Sequence, residues 1–254
     1  MNKFQKFLLF VVIISLASCA SRKKVVYLQN ADSIEIAQNE FSFEPTIKVD
    51  DLLTIIVSAE TPEVTIPFNL PEIPGNYQTG STQAGLKTYL VDASGKIEFP
   101  VIGSIKLAGL SRSEAIQKLK AAISEYIINP TINLRIQNYK VTILGEVRSP
   151  GSFTLQSERV TLLEALSLAG DLTIYGRRDN ILVIRDFDGK KSFSRVDITS
   201  ADFINSPYFY LTQNDQIVVE PNKTKINASA VGPNTTAIFS ALSLLVSIIV
   251  ILLK

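Results

Sequence analysis

Residues 91–103 read VDASGKIEFPVIG, and the alternation of short β-type runs with turn residues in this stretch sets the plan of the chain. Thr88 to Val91 and Lys96 to Phe99 are predicted as two short strands. Asp92-Ala93-Ser94-Gly95 closes them, with Gly95 supplying the positive φ. After Pro100-Val101-Ile102-Gly103 the chain returns as another strand, Ser104 to Leu107, which Gly109-Leu110 ends. Ser111-Arg112-Ser113-Glu114 has the spacing of a capping box, so a helix starts there. Ala115, Ile116, Leu119, Ala122, Ile123 and Tyr126 fall on one face of it, and Asn129-Pro130 is predicted to stop it. Thr131 to Ile136 alternates, with Ile132, Leu134 and Ile136 turned inward. Upstream, Leu52 to Val57 is rich in β-branched residues and reads as a buried strand, entered through a turn at Asp50-Asp51. Pro62, Pro67, Pro71 and Pro74 then interrupt regular structure, and Gly75 to Gly85 is predicted as a loop.

A second unit follows. Lys140 to Val147 is a strand, Gly145 to Gly151 turns it, and Ser152 to Leu155 returns. Thr161-Leu162-Leu163-Glu164 is another capping box, opening a helix that ends at Ala169-Gly170. Ile181 to Arg185 and Lys191 to Val196 form a hairpin over residues 186–189, and Gln216 to Glu220 is the last strand before Pro221. Hairpin, helix, hairpin, strand is an α+β unit with one helix on a sheet.

Composition removes several function classes. There are 25 basic and 24 acidic residues, so nucleic-acid binding has no electrostatic support. There is no histidine, which excludes Ser-His and Cys-His nucleophile pairs and the common zinc sites. Glu146 and Glu164 read as solvated or capping carboxylates rather than a catalytic pair. The Gly145 to Gly151 turn lacks the strand-to-helix context of a phosphate loop. No catalytic residue, cofactor site or metal site is expected.

Both ends of the chain carry membrane signals. Lys3 and Lys6 precede an apolar run from Phe7 to Leu16, too short to span a bilayer. The run ends in Leu16-Ala17-Ser18-Cys19, which resembles a bacterial lipobox around the single cysteine. The resemblance implies lipidation of Cys19 after removal of residues 1–18. Lys3 and Lys6 then leave, so 23 basic residues remain against 24 acidic ones. Several acyl chains at residue 19 would anchor it stably. By resemblance to lipoprotein sorting rules, Ala20 after the cysteine implies the outer membrane, and the basic Arg22-Lys23-Lys24 suits the periplasmic leaflet. Val25 to Phe43 is polar and weakly patterned, and is predicted to run extended along the surface.

At the other end, Thr235 to Leu253 carries no charge. As a helix it is roughly 28 Å long, enough to cross a thin hydrocarbon core. Thr236, Ser240, Ser243 and Ser247 fall within an arc of about 60°, opposite Ile238, Leu245, Ile249 and Leu252. A hydroxyl stripe on a membrane helix faces another helix or water, so several copies are expected to assemble. Lining a lumen and packing dry against a neighbour are both open from spacing alone. Lys223 and Lys225 lie near the boundary, Gly232-Pro233 breaks the chain before the span, and Asn234 or Thr235 is placed to cap it.

Four stretches in one order carry a wider resemblance: VDDLLTIIV at 49–57, VDASGKIEFPVIG at 91–103, AGLSRSEA at 108–115 and NPTI at 129–132. Together they resemble the polysaccharide biosynthesis/export domain of outer-membrane capsule and exopolysaccharide translocons, although family members have Gly-Asp where this chain has Asp50-Asp51. LGEVRSPGSF at 144–153 and TLLEALSLAG at 161–170 resemble an SLBB domain of β-grasp fold. The resemblance implies a lipid-anchored linker at 19–43, an export domain at 44–137 with a mixed sheet and one helix, an SLBB domain at 138–221, a linker at 222–234 and a transmembrane helix at 235–254. It implies a non-enzymatic channel subunit in a homo-oligomeric ring, passing polysaccharide cargo received from an inner-membrane co-polymerase. Lys254 is then expected on the cell surface. The alternative is an outer-membrane lipoprotein that binds a soluble ligand or cell-wall glycan, with the terminal helix as a plain anchor.

Overall fold

A computed structural model of the chain describes residues 22–34, 44–71, 87–187, 189–230 and 233–252. Residues 1–18, Cys19, the Gly75 to Gly85 loop and Lys254 lie outside them.

The first unit contains β1 (Leu52–Ser58), β2 (Tyr89–Leu90), β3 (Lys96–Phe99), β4 (Gly103–Lys106), α1 (Arg112–Ile123) and β5 (Thr131–Ile136). Its three-stranded sheet has the order β2-β1-β5, beside a separate β3-β4 pair. All of these pairings are antiparallel, so among the described residues of this unit the mixed sheet expected here is not found. Leu53, Ile55 and Val57 of β1 stand opposite Ile136, Leu134 and Ile132, and this face is buried against α1. The apolar run from Leu52 to Val57 is thus one-sided: Ile56 points away and is 50% exposed.

The turn at 92–95 forms as expected, but its flanking strands part company. Asp92 Oδ1 accepts from the backbone of Ser94 and Lys96 at 2.8 and 2.9 Å. Gly95 sits at φ +78°, and a Cβ there would lie 2.7 Å from Ala108 Cβ. β2 then pairs with β1, since Val91 N donates to Asp51 O and Asp50 N to Val91 O. β3 turns at residues 100–102 and pairs with β4 instead.

The capping box of α1 is present in full, with Glu114 N on Ser111 Oγ at 3.2 Å and Ser111 N on Glu114 Oε2 at 2.8 Å. Ala115, Leu119 and Ile123 are buried. The helix ends six residues before Asn129, because Ser124 Oγ donates back to Lys120 O and closes its last turn. Tyr126 falls past this end and is exposed, not inward.

The second unit is a five-stranded mixed sheet of order β7-β6-β10-β8-β9. Its elements are β6 (Lys140–Gly145), β7 (Gly151–Thr154), α2 (Leu162–Leu168), β8 (Gly176–Phe187), β9 (Lys190–Val196) and β10 (Gln216–Pro221). β6 and β10 are parallel, and the other pairs are antiparallel. The last strand in sequence therefore lies in the middle of the sheet. Gly145 makes this possible: it adopts φ +92°, and a Cβ there would sit 2.1 Å from Val219 O on β10. α2 carries its own complete capping box between Thr161 and Glu164, and buries Leu162, Ala165 and Leu166.

The ends depart most from expectation. Of the run from Val25 to Phe43, expected to lie extended along the surface, residues 25–34 are described, and with Arg22–Lys24 they are turned and not extended. They form two short 3-10 turns (Arg22–Lys24 and Ala31–Ser33) and bind the second unit. Leu28 N donates to Ile198 O and Gln29 N to Thr199 O, Asn30 Oδ1 accepts from Ala201 N, and Tyr27 Oη reaches Asp171 at 2.5 Å. The stretch after Pro221, expected as a linker, contains a helix, α3 (Lys223–Ala230). Asn222 caps it through Lys225 N. α4 (Pro233–Leu252) follows with proline at its first position, where a missing N–H costs nothing. Side chains of α4 are described from 238 to 248 only, and each of them is exposed. Among the described residues no helix is long and apolar enough to cross a membrane.

Candidate functional site

Two features can carry function: the hydroxyl row on α4, and the polar junction that fixes the two units to each other. On α4, Ser243 Oγ donates to Ser240 O and Ser247 Oγ to Ser243 O, each at 2.8 Å. The serines thus satisfy their donors within their own helix and leave hydroxyl lone pairs turned outward. Nothing is described of the Thr236 side chain, while its backbone lies in α4. Exposed Ile238, Phe239, Leu242, Leu244, Leu245, Val246 and Ile248 share the helix surface with the serines. The proposed lipidation residue, Cys19, is outside the described residues.

The junction starts at Asp50, which takes the left-handed conformation at φ +68°. Aspartate tolerates this region better than most residues, so the tight turn forms without glycine. The turn drives Asp51 inward, to 1% exposure. Asp51 Oδ2 accepts from Lys48 N at 2.8 Å, and Oδ1 accepts from Gln213 Nε2 at 3.2 Å. Gln213, itself buried, also donates to Asn138 O at 2.9 Å and accepts from Lys140 N at 3.1 Å. Asn138 returns to the first unit, donating to Asp50 O and accepting from Leu52 N. Lys48 Nζ reaches across to the carbonyls of Asp186 and Gln213 at 3.0 and 3.2 Å. Beside them Asp215, fully buried, holds Arg185 at 2.8 Å and receives Thr212 N.

Burial governs the chemistry of this cluster. Desolvation pushes the Asp51 carboxyl up to about 6, although the Lys48 amide, the Lys48 ammonium and Gln213 all pull it down. Burial likewise lowers Lys48, against the attraction of Asp215 and Asp51. A cavity of about 580 Å³ opens between the units here, bordered by Lys48, Ala108, Asp186 and Lys191. The arrangement binds two units at a set angle. It has no nucleophile with a base beside it.

Glu146 and Glu164 are both in structural use. Glu164 completes the α2 cap, and Glu146 accepts from Thr173 Oγ1 at 2.8 Å and lies 4.0 Å from Lys225 Nζ. Among the described residues no group of acidic or sulfur ligands is placed to hold a metal ion. Lys48, Asn138 and Gln213 were not legible as junction residues, because each sits in a polar loop whose local pattern is that of any exposed turn. The one usable signal was Asp50-Asp51 ahead of an apolar strand.

Residues 42–137 match the family described as polysaccharide biosynthesis/export protein, and residues 140–194 match the SLBB domain. A protein of Ralstonia solanacearum named EPS I polysaccharide export outer membrane protein EpsA is 28% identical over 198 residues, which cover 74% of this chain and 52% of that protein. The protein of the same name from Ralstonia nicotianae is 28% identical over 198 residues, with 74% and 51% covered. The chain therefore spans about half the length of the curated relatives it matches. With both modules matched in order along one chain, this protein belongs to the polysaccharide biosynthesis/export family over its first unit and carries an SLBB domain in its second.

Proposed function

We propose that the protein is one subunit of an outer-membrane channel for exopolysaccharide or capsule. Copies assemble in a ring, the two α+β units surround a periplasmic vestibule, and the C-terminal segment 235–254, which runs past the described side chains of α4, forms one stave of a helical barrel at the outer membrane. Cys19 carries the lipid anchor, and Thr236, Ser240, Ser243 and Ser247 face the polymer path or the neighbouring stave. An inner-membrane co-polymerase delivers the polysaccharide, and Lys254 emerges on the cell surface.

The observation that carries this reading is the surface of α4. Every described side chain from Ile238 to Ile248 is exposed in the single chain. An apolar helix with one hydroxyl row needs both lipid and other copies of itself to be covered, and closed cyclic symmetry supplies the second. The junction supports it further, since a ring needs its two units held at one angle in every copy.

Native mass spectrometry of the mature protein in mild detergent tests the assembly. A closed set of identical subunits is expected. A monomer across several detergents would refute the ring and turn attention to the glycan-binding lipoprotein. Ser243→Leu is expected to impair assembly and surface polysaccharide more than Leu245→Phe does; equal, mild effects would remove the hydroxyl row from the mechanism.

A further inference from the structure

The start of the described chain and the start of α3 meet at one patch on the second unit. Lys24 and Lys223 line the same cavity of about 550 Å³, with Arg177, Asp179, Glu220 and Ile226 around it. The acids there are already matched. Glu220 receives Arg195 and Asn180 at 2.8 Å and Arg177 at 3.5 Å, and the Arg195 hydrogen bond leads the causes that hold its carboxyl below the usual range. Asp179 is held by Arg177 at 3.1 Å. Lys24 and Lys223 are exposed, and among the described residues neither ammonium has a partner.

The patch contains Lys24, Arg177, Arg195, Lys223 and Lys225 against Glu146, Asp179 and Glu220, an excess of positive charge that the internal ion pairs do not cancel. It is also greasy. Ile174 is 61% exposed and Ile226 52%, and Lys225 lies over the exposed face of Tyr175 at 5.1 Å. Unpaired lysines beside exposed aliphatic and aromatic side chains suit the headgroup zone of a bilayer, where ammonium groups meet phosphates and apolar tips enter the acyl boundary. The two proposed membrane attachments flank it in sequence: Lys24 lies five residues after Cys19, and Lys223 opens α3, which precedes α4.

We infer that this patch is a seat for anionic phospholipid headgroups, with Lys24 and Lys223 gripping one lipid phosphate between the two membrane tethers. The inference rests on the membrane attachment proposed above and adds the ligand. It makes the seat sensitive to lipid composition and to salt, which a purely apolar anchor is not.

The test uses the full mature chain in detergent, titrated with dioctanoyl phosphatidylglycerol or dioctanoyl phosphatidylcholine and read by native mass spectrometry. Phosphatidylglycerol is expected to be retained preferentially. Lys24→Gln with Lys223→Gln should lower that retention about 25-fold, at roughly five-fold per lysine, while Lys24→Arg with Lys223→Arg keeps it. Both pairs lie on the exposed surface, so folding is not at issue. Equal retention of the two lipids, or no change in the glutamine pair, would overturn the seat. Displacement of the lipid by an equal concentration of inorganic phosphate would reduce it to a plain anion site and overturn the lipid assignment. A monomer that still selects phosphatidylglycerol would refute the channel and leave the seat standing.

Discussion

Replacing Asp51 by asparagine removes a titration that the fold itself distorts. The carboxyl is raised from 3.8 to about 6 because burial outweighs its three favourable contacts. In the unfolded chain it loses its proton near the ordinary value. Folded protein therefore binds more protons than unfolded protein between about pH 4 and 6, and stability from this group falls as pH rises through that window. A shift of about two units corresponds to about 3 kcal/mol, present in full below pH 4 and lost above pH 6. The side-chain amide of the variant has no proton to lose. Urea unfolding of the mature wild type and of Asp51→Asn, in detergent across about pH 4 to 7.5, should show the variant gaining on the wild type by about 3 kcal/mol over the window, then levelling. Replacing a carboxylate acceptor by an amide adds an offset that does not change with pH, so the slope carries the test. A difference that stays flat, or falls as pH rises, would mean that Lys48 and Gln213 stabilise the charged form more than burial penalises it.

Two further predictions concern the frame. Gly145→Ala is expected to destabilise the protein by about 3 kcal/mol or more, since it combines φ +92° with a Cβ 2.1 Å from Val219 O; an unchanged melting temperature would contradict the β6-β10 packing. Thr161→Ala should cost about 1 kcal/mol by opening the α2 cap, and Thr161→Ser should restore most of it in denaturant unfolding.

The helix starts were legible in the sequence because capping is local: Ser111 with Glu114 and Thr161 with Glu164 each satisfy donors within three residues. The helix stop was not. Asn129-Pro130 is a strong breaker, but Ser124 closed α1 earlier by a side-chain bond that propensity does not weigh. Strand positions were mostly readable, and strand partners were not. Thr88 to Val91 and Lys96 to Phe99 flank a sound turn, yet β2 pairs with β1 and β3 with β4, a choice set by tertiary packing and not by the turn. The N-terminal strap was missed for the same reason: Leu28 and Gln29 bond to Ile198 and Thr199 through their backbones, which any sequence possesses. Of the functional features, the hydroxyl row follows from spacing alone. The junction does not, because Asp51, Asn138 and Gln213 come together only once both units are built.

The central place of β10 has a mechanical meaning. A load applied to α4 passes through α3 to a strand held on both flanks, by β6 on one side and β8 on the other. Pulling along that strand shears two ladders of hydrogen bonds at once, whereas an edge strand would peel one bond at a time. A body held by its middle strand can take up tension and pass it to the whole sheet without that strand unravelling.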